Sequence, residues 1–259
     1  MQCKNCLTVI ATNYDFCPKC GQNAHLHRLS MHDVAHEVLH YFTHADKGLF
    51  HLLKALATKT GAVAREYCEG KRKSYFSPLN FFLIMITISF FVVSLDNGRA
   101  VMTMIDRDQF LQAYPDPHVR KIMERFVTRW QYITKLMLEY YKVSYILTLP
   151  IYSLFYWLML RREKFNFTEH LVANMYMQGF TVAAFIILQL LTVLRIDLAQ
   201  LLYTAIFMLQ FVYFAIFYYK FMNFSGTNGK LLAATITFIV VVLTNSILFG
   251  GILIYCFLP

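Results

Sequence analysis

From residue 79 onward the chain is organised as five apolar runs, at about 79–95, 143–160, 171–194, 199–219 and 231–257. Each approaches or exceeds the roughly 18–20 residues that carry a helix across a bilayer, and none contains Asp, Glu, Lys or Arg. Composition agrees, with 58% hydrophobic and 15% charged residues, against roughly 45–50% and 25% in soluble domains. A soluble enzyme, a disordered chain and a secreted disulfide scaffold are thereby excluded. The expected fold class is an all-α integral membrane protein of about five transmembrane helices, preceded by a small soluble front end. The first two runs are short, so their ends reach into the interface, and the last is long enough to need a tilt.

Residues 1–78 hold ten Lys/Arg against six Asp/Glu, with the densest cluster, Lys71-Arg72-Lys73, just ahead of the first run. Basic residues there suit anionic headgroups and the positive-inside rule, so the lipid bilayer rather than nucleic acid is the expected partner. Apolar residues from Leu29 to Leu56 recur at the spacing of an amphipathic helix or helix pair. Gly48 marks a break, Gly61 a stop, and a short helix follows over about 62–70. Pro78 suits the first turn of a membrane helix. With the front end inside, the basic loops at 161–164 and 220–230 fall on the cytoplasmic side and 195–197 outside. The loop at 96–142 is then external, despite eight Lys/Arg beside six acids. Val119, Ile122, Phe126, Trp130, Ile133, Met137 and Tyr140 recur there at helical spacing, predicting an external amphipathic helix that runs into the second span. No internal repeat is evident.

Cys3-x2-Cys6-x10-Cys17-x2-Cys20 is the strongest chemical signal. Met1 leads into polar residues with no apolar leader, so the front end is expected in the reducing cytoplasm, where paired CxxC motifs mean metal rather than disulfide. Each CxxC can form a knuckle presenting two thiolates, and two knuckles complete a tetrahedral S4 shell. Pro18 and Gly21 favour the knuckle turn. A segment of this size buries almost no core, so the ion must supply its folding free energy. A ribbon over 1–24 holding one structural Zn²⁺ is expected. Cys68 and Cys256 read as packing cysteines.

His32, His36, His40 and His44 recur every four residues, with His25, His27 and His51 nearby, and helical periodicity puts the four on one face. The segment also matches H-E-x-x-H at His36-Glu37-Val38-Leu39-His40, in which two histidines bind zinc and the glutamate is general base. Asp46 and His44 are the candidate further ligands of a second ion. The competing reading is the polar face of an interfacial helix.

Within the third run His170, Asn174, Gln178 and Thr181 form a polar face next to Glu169, which reads as interhelical hydrogen bonding or as a polar cavity opening to the cytoplasm. The absence of charge inside the runs argues against a coupled carrier.

The chain resembles an uncharacterised bacterial family of zinc-ribbon membrane proteins, a domain of unknown function. The matching residues are Cys17-Pro18-Lys19-Cys20-Gly21-Gln22, His40 with Thr43-His44-Ala45-Asp46-Lys47-Gly48, Val63-Ala64-Arg65-Glu66-Tyr67, Gly70 to Lys73, Tyr75 to Pro78, and Glu169-His170-Leu171-Val172. Lys59-Thr60-Gly61 departs from it, since a proline is expected before the glycine. The resemblance implies the architecture and an inner-membrane location, and supplies no reaction. The leading functional reading is a non-enzymatic inner-membrane protein whose cytoplasmic ribbon and juxtamembrane helices dock partner proteins in a membrane complex. The alternatives are a membrane-tethered metallohydrolase using Glu37 with His36 and His40, and a lipid or small-solute binder.

Overall fold

The computed structural model describes residues 1–11, 13–33, 48–95, 107–161, 163–193 and 199–257. The segment carrying His36, Glu37, His40, His44 and Asp46 lies outside the described residues. Nine helices are described after the ribbon: α1 (Gly48–Lys59), α2 (Ala62–Cys68), α3 (Pro78–Leu95), α4 (Arg107–Gln112), α5 (Pro117–Glu139), α6 (Tyr141–Leu160), α7 (Phe167–Val193), α8 (Ala199–Phe221) and α9 (Gly226–Phe257).

Local chemistry sets their starts. Pro78 and Pro117 open α3 and α5, where a missing N–H costs nothing. Asp116 caps α5, its Oδ1 accepting from the amides of His118 at 2.8 Å and Val119 at 3.1 Å. At α7 the Glu169 amide donates to Asn166 Oδ1 at 2.8 Å while the Asn166 amide donates to Glu169 Oε2 at 2.7 Å. This reciprocal pair has the logic of a capping box. A second one joins Ser30 and Asp33.

Among the described residues, three helices are long and apolar enough to cross a membrane: Pro78–Leu95, Phe167–Leu191 and Gly226–Phe257. Tyr145–Leu160 within α6 is a shorter apolar stretch, and α8 occupies the fourth expected run. The centre is α7, 67% of whose apolar window is buried inside the protein, against 29% for α9. It packs on α3, α6 and α8. Gly179 makes the α3 contact possible, because a Cβ there would come within 2.6 Å of the Phe81 ring; small residues let membrane helices approach closely.

The two juxtamembrane helices do not lie free on a surface. Leu52 and Leu56 of α1 and Val63 and Ala64 of α2 are fully buried, α1 against α7 and α2 against α7 and α8. Full burial of such a Leu or Val is worth about 1.5–3 kcal/mol each. The turn between them is tight. Thr60 has φ of 52°, a value proline's ring cannot reach, which accounts for its absence from this turn. Gly61 sits directly on the α8 backbone.

The loops sort to two ends. Arg65 Nη1 donates to the Lys220 carbonyl at 2.8 Å and to Asn223 Oδ1 at 2.6 Å. Lys164 Nζ donates to Glu69 Oε1 at 2.6 Å, so both basic loops lie beside the front end. Helix α5 packs instead on the far end of α9, with Phe126 stacked on Phe257 and Arg129 donating to the Tyr255 carbonyl at 3.0 Å. At 1.5 Å per residue, α9 separates these ends by about 48 Å.

Candidate metal centre and its seat

The four cysteines converge. All four sulfurs lie within 4.8 Å of one another, with Cys3 and Cys20 Sγ 3.7 Å apart and Cys6 and Cys17 Sγ 3.6 Å apart. Sulfurs at the corners of a tetrahedron around an ion about 2.3 Å away are separated by about 3.8 Å, so the set matches a closed S4 shell that could hold a metal ion. Among the described residues no other group of His, Cys, Asp and Glu could hold one.

The backbone explains the convergence. In the first knuckle Leu7 N donates to Cys3 O at 2.9 Å and Cys3 N to Thr8 O at 2.9 Å. In the second, Gly21 N donates to Cys17 O and Cys17 N to Gln22 O, both at 2.8 Å. Isolated bridges flank them, Gln2 with Val9 and Phe16 with Asn23. Every partner recurs after 14 residues, so the ribbon is a short structural duplication, although the sequence shows only its cysteines. Each knuckle ends on a left-handed residue, Leu7 with φ of 61° and Gly21 with φ of 68°. The hydroxyl and amide of Thr8 hold the Cys6 thiol down at about 6, whereas burial pushes Cys20 up to about 11. Metal ligation needs the thiolate form, so an ion bound among the four sulfurs would hold them deprotonated against this burial.

The ribbon is clamped onto the helices. Asn5 Oδ1 accepts from the amide and hydroxyl of Ser74 at 3.1 and 2.8 Å, and the buried Gln22 accepts from the Lys73 amide at 3.0 Å. Gly70, with φ of 115°, lets Lys4 and Leu26 lie close, since a Cβ would come within 2.9 Å of each side chain. The basic triplet is divided between tasks. Lys71 pairs with Glu66 at 2.8 Å, Arg72 Nη2 donates to the His27 carbonyl at 3.0 Å, and Lys73 is exposed. Burial alone would raise the Glu66 carboxyl, but Lys71 and the Tyr75 hydroxyl outweigh it and hold it below the usual range.

Glu169 is buried and ties the segment after the ribbon to α7. Arg28 grips it with Nε at 3.1 Å from Oε1 and Nη2 at 2.8 Å from Oε2, while Nη2 also donates to the Lys164 carbonyl at 2.6 Å. A carboxylate so engaged reads as structural. Arg28 has no signal in the sequence, because 141 residues separate it from Glu169.

The polar face of α7 is buried as well. Asn174 Nδ2 donates to Ser153 Oγ at 3.1 Å and Tyr218 Oη at 3.0 Å, and His170 Nδ1 lies 3.4 Å from the same hydroxyl. Farther along, Ser89 donates to Gln189 at 3.0 Å. These bonds join α7 to α3, α6 and α8. Gln178 and Thr181 instead line a cavity of about 630 Å³ between α6, α7, α8 and α9, otherwise mostly aromatic and aliphatic. Among the remaining histidines, His27 Nε2 lies 3.0 Å from Asp33 and His51 stacks on Tyr75.

An apolar helical bundle with three helices able to cross a membrane, carrying a four-cysteine site on one end, defines a membrane-type protein with a candidate metal-binding knob. Residues 46–90, from just before α1 into α3, match a family described as Protein of unknown function (DUF3667). No curated protein and no solved structure matches the chain. The family likeness thus covers the seat of the ribbon and the first apolar helix, and brings no activity with it.

Proposed function

We propose that the protein is a non-enzymatic component of the bacterial inner membrane whose cytoplasmic, zinc-loaded ribbon is a docking surface for partner proteins. All five apolar helices cross in this reading, α6 and α8 included. Its orientation follows from the basic loops at 161–164 and 220–230, which share an end with the ribbon and belong inside by the positive-inside rule; α5 then lies outside. Zinc is favoured because a closed S4 site suits it and leaves no open coordination position for catalysis.

One observation carries the docking role. Although the ribbon seats itself through polar bonds, it exposes Leu7, Val9, Tyr14 and Phe16 at 67%, 80%, 50% and 59%. So many large apolar side chains on a segment of this size go beyond the scattered singles of an ordinary surface, and exposed hydrophobics at a rigid site are what partner proteins use. A photo-reactive residue in place of Val9 is expected to crosslink in cells to a protein of one discrete mass. Labelling of lipid alone, or of nothing, would contradict the reading.

The cavity between α6 and α9 favours a second reading, in which the membrane part binds a lipid. Val241→Trp, which fills the cavity from α9, should then remove a lipid that survives purification of the native protein. Unchanged lipid retention on mass spectrometry would count against it.

A further inference from the structure

A cleft of about 500 Å³ opens where the ribbon, the end of α2 and the start of α7 meet, lined by Lys4, Arg28, Glu69, Arg72, Lys164 and Glu169 among others. Four cations face two carboxylates. Both acids are already matched, Glu169 by Arg28 at 2.8 Å and Glu69 by Lys164 at 2.6 Å. Cys68, also at the wall, adds no negative charge, since burial pushes its thiol well up and keeps it protonated. Among the acids that line the cleft, none is left to match Lys4 and Arg72.

Arg72 is underused. Its Nη2 donates to a neutral carbonyl, that of His27, and its Nε is buried with no partner among the described residues. Leaving a charged donor unsatisfied incurs its full desolvation penalty, and such a group in a native fold calls for a partner. Lys4 is exposed but anchored, its stem lying against Gly70. Lys4 from the ribbon and Arg72 from the helix side thus line the same cleft.

We propose that this cleft is a binding site for a phosphate group, held by Lys4 and Arg72. A compact anion with several acceptor oxygens satisfies a guanidinium fork and an ammonium together. The same chemistry is offered by an anionic phospholipid headgroup and by soluble phosphate, and the cleft lies at the end of the apolar helices, within reach of both. The site is separate from the docking face at Leu7 and Val9, so neither proposal depends on the other.

The test uses the full-length, metal-loaded protein in detergent, titrated with short-chain phosphatidic acid, the matching phosphatidylcholine and inorganic phosphate. Phosphatidic acid should bind one per chain, about tenfold more tightly than phosphatidylcholine, and more weakly as ionic strength rises. Lys4→Gln, at an exposed site, and Arg72→Lys, which keeps the charge but loses the fork, should each weaken binding about fivefold or more. Displacement by inorganic phosphate would identify a soluble ligand. Retention of the lipid against inorganic phosphate, with both variants still weakened, would identify the membrane as the source. No saturable binding of either probe, or affinities unchanged in both variants, would overturn the proposal.

Discussion

Cys17→Ser is expected to release the metal and unfold residues 1–24 while the apolar helices remain inserted. Cys17 is 2% exposed and lies 3.6 Å from Cys6; without its thiolate the S4 shell cannot close. Little else holds the ribbon together, since its core is Ile10 and the cysteines themselves, and its strand pairing is two isolated bridges. Structural zinc in comparable peptides contributes an apparent 10–16 kcal/mol or so at neutral pH, far more than this core supplies. Elemental analysis should show metal falling from about one ion per chain toward zero. Hydrogen exchange should show the amides of Cys17 and Gly21 losing protection, with α3 and α7 unchanged. Stoichiometric metal retained in the variant would refute the four-thiolate site.

Gly61→Ala should be the most damaging single methyl in the helical part. The new Cβ would stand 1.8 Å from the Phe217 carbonyl oxygen and 2.8 Å from the Phe221 amide nitrogen. These are backbone atoms of α8, so no rotamer change relieves the clash, and α2 must back away from the helix it is packed on. Overpacking usually costs about 1–3 kcal/mol, and a collision with rigid backbone belongs at or beyond the upper figure. Thermal unfolding in detergent should shift clearly downward. Gly250→Ala is the control, with nothing within 4 Å of its Cβ and a better helix former in place of glycine. Equal melting of the two variants would mean that α2 does not sit on α8 as described.

Both predictions concern features that the sequence announces to different degrees. The CxxC pairs declare their sulfurs directly, because metal chemistry fixes residue type and spacing together. The apolar runs declare the helices equally well, since bilayer thickness sets their length. Gly61 is legible as a helix stop, yet its closer duty, the approach to α8, is a contact across more than 150 positions that no local pattern encodes. The same holds for Arg28 and Glu169, and for Ser153 and Tyr218, whose hydroxyls accept from Asn174 Nδ2. Lys71-Arg72-Lys73 reads as one headgroup-facing cluster by charge, but its members diverge because Glu66, His27 and Gln22 each engage a different one. The polar face of α7 is visible as a period; that most of it turns inward to neighbouring helices is set by packing.

The two knuckles of the ribbon differ in one telling respect. Where the second places glycine in the left-handed conformation, the first places Leu7, at a cost of about 1 kcal/mol. That side chain buries little within its own chain, being 67% exposed. The leucine thus weakens the lone molecule slightly, and under the docking role proposed above a partner covering it would offset that cost. Natural variation at this position would accordingly track the identity of a neighbour rather than the sturdiness of the thiolate cage.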